Sequence, residues 1–298
     1  MCGIVGLFLK TRSLQPQLGA MVAPMLAIMG DRGPDSAGFA VYGQPRDRRI
    51  KFTVRLTDPH AAGALAEALE AFPGEPASIM LRASHAVIAI PDTAQDHLRT
   101  LLRQFDPHIQ LVSAGRRMEI YKEVGRPEIV ADLFGLSDMG GTHAVGHTRM
   151  ATESSVTTKG AHPFSTAIDQ CLVHNGSLSN HNAVRRMLER EGLSFETEND
   201  SEVAAGYLTW RLREGLSLRE ALEASLKDLD GFYTFLVGTE KGFAVLRDPI
   251  ACKPAVMAET DDYVAFGSEY RALAGLPGIE HARAFEPEPG IVYAWEHA

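Results

Sequence analysis

Apolar residues change their spacing repeatedly along the chain, and each change marks an element. Residues 3–9 carry no charge and predict a strand buried on both faces. Leu18, Met21, Val22, Met25, Leu26 and Met29 then recur at intervals of three and four, which predicts a helix closed by Gly30 as a C-terminal cap. That methionine stripe reads as a core face. The segment Asp31-Arg32-Gly33-Pro34-Asp35-Ser36-Ala37-Gly38 is dense in turn formers and charges, so it predicts a loop, followed by a strand over 39–42. Its Arg and Asp are also placed to line a site beside the first strand.

Residues 50–136 read as a self-contained α+β insert. Ile50, Phe52, Val54 and Leu56 alternate as a half-buried strand, and the Arg-rich stretch over 46–55 reads as a solvated strand edge. Residues 61–72 are helical in composition, and 78–90 supply apolar strand material. A second helix sets Ala94, Leu98, Leu101, Leu102 and Phe105 on one face. Strands over 109–112 and 118–122 follow, then a short helix over 127–136 with proline at its start. His85, His97 and His108 have no ligand spacing and read as structural or surface residues.

Beyond the insert, a strand over 142–146 runs into Gly146-His147-Thr148-Arg149-Met150-Ala151-Thr152. Another over 170–173 runs into His174-Asn175-Gly176. Asn-Gly is by default a turn, and Asp200, ahead of a helix reaching about 214, is by default an N-cap. His143 and His147 are spaced like a metal pair, but on a strand they occupy opposite or distant positions, and no carboxylate completes the set, so no metal is expected. A helix over 218–229, ended by Asp230-Gly231, precedes strands over 232–237, 243–247, 255–258, 263–267 and 291–295, with a short helix over 268–273. Closely spaced strands with few intervening helices predict antiparallel sheets packed face to face, with helices outside.

Composition narrows the function classes. A net charge of −9 over 298 residues leaves no basic excess for phosphate backbones, which argues against nucleic acid as a partner. Three scattered cysteines (Cys2, Cys171 and Cys252) do not describe a disulfide scaffold and are too few to hold an iron–sulfur cluster. The start lacks the order of a secretory signal, and no stretch approaches the roughly 20 apolar residues that span a bilayer. A cytoplasmic protein without membrane contact is expected.

Cys2 carries the most distinctive chemistry. Methionine is readily removed ahead of so small a residue, and the new terminus would hold a thiol and an α-amine together. An α-amine titrates at roughly 7.7–8.0, so it can take the thiol's proton near neutral pH without a histidine. The alternative for Cys2 alone is a buried cysteine opening a strand.

Taken in order, Met1-Cys2-Gly3-Ile4-Val5-Gly6, Arg32-Gly33-Pro34-Asp35-Ser36-Ala37-Gly38, Gly146-His147-Thr148-Arg149, His174-Asn175-Gly176 and Asp200-Ser201-Glu202 resemble the motif series of the class II glutamine amidotransferases. The match continues through Asp230-Gly231, Arg247-Asp248-Pro249 and Gly267-Ser268-Glu269 to Pro289-Gly290. The resemblance implies an α+β, four-layer αββα N-terminal-nucleophile hydrolase fold over residues 2–298, interrupted by the 50–136 insert. It implies Cys2 as nucleophile with its own amine as base, and an oxyanion hole from the Asn175 side-chain amide and the Gly176 N–H. Arg149 is implied to hold the substrate carboxylate and Asp200 its ammonium, with Thr152 and His174 in the same substrate-binding set. The chain departs from the glucosamine-synthase branch at Met150, where that branch has tryptophan.

Most members fuse this domain to a synthase that consumes the ammonia. Here the chain stops at Ala298, so a separate synthase polypeptide is expected. The layout resembles the amidotransferase subunit of N-methylglutamate synthase and other glutamate-synthase-like complexes. This implies glutamine or a γ-glutamyl amide as substrate, with FMN and an iron–sulfur cluster in partner subunits and no cofactor in this chain. The insert or an outer helix is the expected docking element. A solitary γ-glutamyl amidohydrolase and a catalytically silent scaffolding subunit are the alternatives.

Overall fold

Strand Gly3–Leu9 lies within a seven-stranded antiparallel sheet, and its period of two divides its side chains between two cores. The computed structural model describes residues 2–46, 48–58, 60–72, 76–105, 107–151 and 155–297. Val5, Leu7 and Leu9 turn to one hydrophobic cluster, with helices Leu18–Ile28 and Pro127–Phe134 packed over them. Ile4 and Phe8 turn the other way, onto Val173, Leu236, Phe243 and Val245 of a five-stranded sheet. That second sheet buries its far face under helices His181–Arg190, Asp200–Arg213 and Leu218–Asp228. The result is helix, sheet, sheet, helix, which is the expected α+β four-layer arrangement.

The first sheet runs Arg283–Phe285, Val256–Glu259, Tyr263–Gly267, Gly3–Leu9, His143–Arg149, Ser36–Tyr42, Met118–Val124. The second runs Val292–Glu296, Gly242–Arg247, Gly231–Gly238, Gln170–Leu178, Phe164–Ala167. Antiparallel neighbours of this kind can each carry one buried face per side, and here both faces of both sheets are covered.

A separate four-stranded sheet, Ser78–Arg82, His85–Pro91, Arg49–Leu56, Ile109–Gly115, has its own apolar core around Phe52, Ile88, Leu65 and Leu98. The insert is therefore shorter than the 50–136 expected. Strand Met118–Val124 pairs with Ser36–Tyr42 in the seven-stranded sheet, and helix Pro127–Phe134 joins the main core. The cause is Asp169, on the turn before strand Gln170–Leu178. Its carboxylate accepts the N–H groups of Arg116, Arg117 and Met118 at 2.7, 2.9 and 2.9 Å, while its own N–H donates to Ala114 O at 3.0 Å. The tight turn between two adjacent strands is thus tied to the other sheet, and the chain changes sheets there.

Smaller differences follow from tertiary pairing. Strand Arg49–Leu56 is interior and not an edge, with Lys51 buried against Glu119 at 2.8 Å. Helix Leu18–Ile28 runs on into a single 3-10 turn, Met29–Asp31, so Gly30 is not its left-handed cap. The helix expected over 268–273 is only the 3-10 turn Tyr270–Ala272. Strands Phe164–Ala167 and Arg283–Phe285 are too short to show a period, whereas helix His181–Arg190, absent from the elements predicted above, carries Val184, Met187 and Leu188 on its buried face.

Candidate active site

The pairing of strand Gly3–Leu9 with His143–Arg149 sets Gly3 opposite Thr148, which brings Cys2 level with Arg149. Cys2 is half-buried and its thiol is free. Its carbonyl oxygen accepts from Arg32 Nε at 3.0 Å and from Asn175 Nδ2 at 3.2 Å. Next door, Ile4 N–H donates to Ser268 Oγ and Ser268 N–H donates to Ile4 O, both at 2.9 Å. Arg32 is in turn paired with Glu269 at 2.6 Å, and the hydrogen bond from Arg32 holds the Glu269 carboxyl below its usual range. The terminus that bears the thiol is thus gripped by residues from both sheets.

Asn175 and Gly176 do not form the turn their dipeptide suggests. Both lie within strand Gln170–Leu178, paired with Thr234 and Tyr233. Gly176 has φ of +153°, and a Cβ there would sit 2.0 Å from Phe232 O, so only glycine fits this crossing. The Asn175 amide has two N–H donors, and one of them engages Cys2 O.

Asp200 is not the N-cap of its helix. Asn199 takes that place and accepts from Ser201 N–H at 2.9 Å. Asp200 is left free to accept the Leu178 N–H at 2.9 Å, which ties the helix start to the end of the strand bearing Asn175. Burial opposes its charge, but His174, 3.7 Å away, and the Leu178 N–H outweigh that and bring the carboxyl down to about 2. His174 Nδ1 meets Ser201 Oγ at 2.9 Å, and its backbone oxygen meets His147 Nε2 at 3.0 Å.

Arg149 ends its strand almost fully buried. Asp35 brackets it: Asp35 N–H donates to Arg149 O at 3.1 Å, and Asp35 Oδ2 accepts from Ala151 N–H at 2.8 Å. Gly33 lets the loop press this close, since a Cβ there would lie 2.4 to 2.6 Å from the backbone of Thr148 and Arg149. Thr152 lies outside the described residues.

The fold therefore joins Cys2 directly to Asn175, sets Arg149 beside it by register, and links His174 to Asp200. Arg32 and Asp35 take the place beside the first strand that their loop suggested. Ser268, Glu269 and His147 lie in motifs quoted above without a role assigned to them, and they contribute here by holding the amino-terminal strand and the His174 backbone. The motif Gly267-Ser268-Glu269 was the available signal. His143 and His147 reach the same side of their strand, onto Thr239 O and His174 O, as an interval of four on a strand requires. Among the described residues no group of three His, Cys, Asp or Glu side chains is placed to hold a metal ion.

Comparison with known proteins decides the family. A relative from Rhizobium meliloti (strain 1021), described as glutamine amidotransferase-like protein GlxB, is 58% identical over 297 residues, covering 100% of this chain and 99% of its own. The chain belongs to the glutamine amidotransferase family. A putative glutamine amidotransferase of Methanothermobacter thermautotrophicus is 35% identical over 317 residues, covering 98% of this chain and 99% of its own. The glutamine amidotransferase domain pattern matches residues 147–275, the stretch holding Arg149, Asn175 and Asp200. Among solved structures, the glutamine phosphoribosylpyrophosphate amidotransferase from B. subtilis superposes with a TM-score of 0.62 at 20% identity, covering 99% of this chain. A structure titled as the allosteric regulatory enzyme of purine biosynthesis superposes at 0.65, also with 20% identity. These likenesses establish the N-terminal-nucleophile hydrolase fold. The chain spans 47% of the length of each of those two solved chains. No helix among the described residues is long and apolar enough to cross a membrane.

Proposed function

We propose that this amidotransferase is a glutaminase that cuts the γ-amide of glutamine or a γ-glutamyl amide through a Cys2 thioester. The observation behind the proposal is the Asn175 amide resting on the Cys2 backbone at 3.2 Å, which leaves the same amide a second N–H to donate next to the nucleophile-bearing residue. With Met1 removed, the α-amine of Cys2 takes the thiol proton and the sulfur attacks the γ-carbonyl. The negative charge that develops on oxygen is met by Asn175 Nδ2 and the Gly176 N–H. The amine returns the proton to the departing nitrogen, ammonia or an alkylamine leaves, and water then hydrolyses the glutamyl thioester. Glutamine is a zwitterion, so orientation needs one fixed cation and one fixed anion. Arg149 supplies a planar fork for the carboxylate, and Asp200, ionised down to about pH 2, holds the ammonium. Thr152 and His174 complete the substrate-binding set.

The freed nitrogen passes to a synthase on a separate subunit, in an assembly of the N-methylglutamate synthase or glutamate-synthase-like type, whose FMN and iron–sulfur cluster reside in the partners. The experiment is a glutaminase assay on glutamine and γ-glutamylmethylamide with wild type and Cys2→Ala, alongside the intact mass of the amino terminus. Hydrolysis that survives Cys2→Ala, or full activity with Met1 retained, overturns the chemistry. Affinity capture from the native host tests the partner, and elution as a solitary chain would favour an independent amidohydrolase instead.

A further inference from the structure

A cleft of about 270 Å³ lies along the seam between the insert sheet and the main body, apart from Cys2. The insert contributes Arg55 and Arg99 to its walls, and the main body contributes Lys122, Lys159 and Arg213. Two carboxylates, Glu196 and Glu202, also line it, and both are engaged. Glu196 pairs with Lys159 at 3.3 Å, and Glu202 accepts the N–H groups of Glu196 and Thr197 at 2.8 and 2.7 Å. In a chain of net charge −9, five cations around one cleft are a local reversal of sign.

Lys122 spends its buried ammonium on the carbonyl oxygens of Lys159, Ala161 and Pro163, at 3.3, 2.8 and 3.4 Å, which leaves the three arginines as the least neutralised of the five. Arg99 lies over the Phe52 ring at 5.1 Å, and neither it nor Arg213 has an ion-pair partner among the described residues. The Arg55 pair with Glu123 is long, at 3.7 Å. The face of the insert sheet that is turned away from its apolar core adds more. Thr53 pairs with Ser113, and Arg55 lies two residues further along the same face. Thr53 Oγ1, Arg55 Nε and Ser113 Oγ are all buried without a hydrogen-bond partner among the described residues, and Ser113 is only 3% exposed. A buried donor without a partner is costly, and three on one face beside unneutralised guanidinium groups fit a site built for an anion.

We propose that this seam binds a small phosphorylated metabolite, its phosphate held between Arg55 and Arg99 of the insert and Lys159 and Arg213 of the main body. Donors that approach from two walls suit a tetrahedral dianion better than a planar carboxylate, which a single guanidinium fork would satisfy. The occupant cross-links the insert to the body. It also touches the segment bearing Thr158 and Lys159, which continues to Gly160 beside the Arg149 side chain.

The test is isothermal titration calorimetry on the full chain with inorganic phosphate, and with succinate at matched ionic strength. Saturable phosphate binding is expected, with succinate much weaker. Arg99→Gln and Lys159→Gln, one from each wall, are each expected to weaken it about tenfold or more, as loss of a charge-assisted hydrogen bond does. Thermal melts of both variants control for folding. No saturable phosphate heat, equal binding of succinate, or unchanged affinity in both folded variants overturns the proposal. The readout is binding, so the outcome stands apart from that of the glutaminase assay.

Discussion

Lowering the pH from 7.5 to 5.0 should weaken this fold by several kcal/mol through histidines that have no room for a second proton. His143 is fully buried, with Nε2 on Thr239 O and Nδ1 on Thr142 Oγ1, both at 2.9 Å. A neutral ring satisfies both contacts, one nitrogen donating and the other accepting. Burial lowers His143 and His147 to about 3 and His85 to about 4. Unfolded, each titrates near 6.5, so below that pH the unfolded chain binds more protons and stability falls as pH falls. The loss begins at the unfolded value and continues down to the folded ones. At pH 5.0 each group is about 1.5 units below its unfolded value, which costs about 2 kcal/mol. Three such groups together cost about 6 kcal/mol, out of the roughly 5–15 kcal/mol typical of a domain. Urea unfolding at a series of pH values measures this. His143→Gln keeps an amide donor and acceptor but cannot titrate, so it should remove close to one proton from the slope. A wild-type midpoint that is flat from pH 7.5 to 5.0, or a His143→Gln slope identical to wild type, would refute the reasoning.

Three further outcomes follow. Asn175→Ala should lower kcat for glutamine hydrolysis by a factor on the order of 10² to 10³ with little change in KM, checked by steady-state kinetics. Gly176→Ala must move the Phe232 backbone to fit its methyl group, and it should both lose activity and lower the melting temperature in calorimetry. Asp200→Asn should raise KM for glutamine far more than it lowers the melting temperature. Because Asp200 titrates near 2, the wild-type acid limb of kcat/KM above pH 5 must belong to another group, and a limb that vanishes in Asp200→Asn would contradict this.

Much of the architecture was legible where local pattern and tertiary demand agree. Strand Gly3–Leu9 is a run buried on both sides, and a central strand of a four-layer fold needs no more than that. The helices from Leu18 and Leu218 announce themselves by spacing, and the structure adds a Ser217–Glu220 capping box at the start of the latter. The insert boundary was not legible, because it depends on Asp169 reaching three N–H groups more than fifty positions earlier in the chain. Asn175-Gly176 and Asp200 fell to default meanings, turn and cap, because neither the strand crossing at Phe232 nor the capping by Asn199 can be seen locally. Arg149, Asn175 and Asp200 were recoverable as a motif series. Their mutual arrangement comes from strand register for Arg149, from the packing of the two sheets for Asn175 and from the Leu178 N–H for Asp200, none of which one sequence states.

The contacts that hold the amino terminus join residues very far apart in the chain: Ile4 to Ser268 across 264 positions, Arg32 to Glu269 across 237 and Cys2 to Asn175 across 173. Closing such long loops is slow and comes late in folding. A nascent chain that has not yet emerged beyond its final third therefore has a bare thiol and no machinery around it. On the proposed Cys2 chemistry, hydrolysis would begin only once the segment around Ser268 and Glu269 has docked, so turnover would double as a gauge of whether these distant parts have folded together.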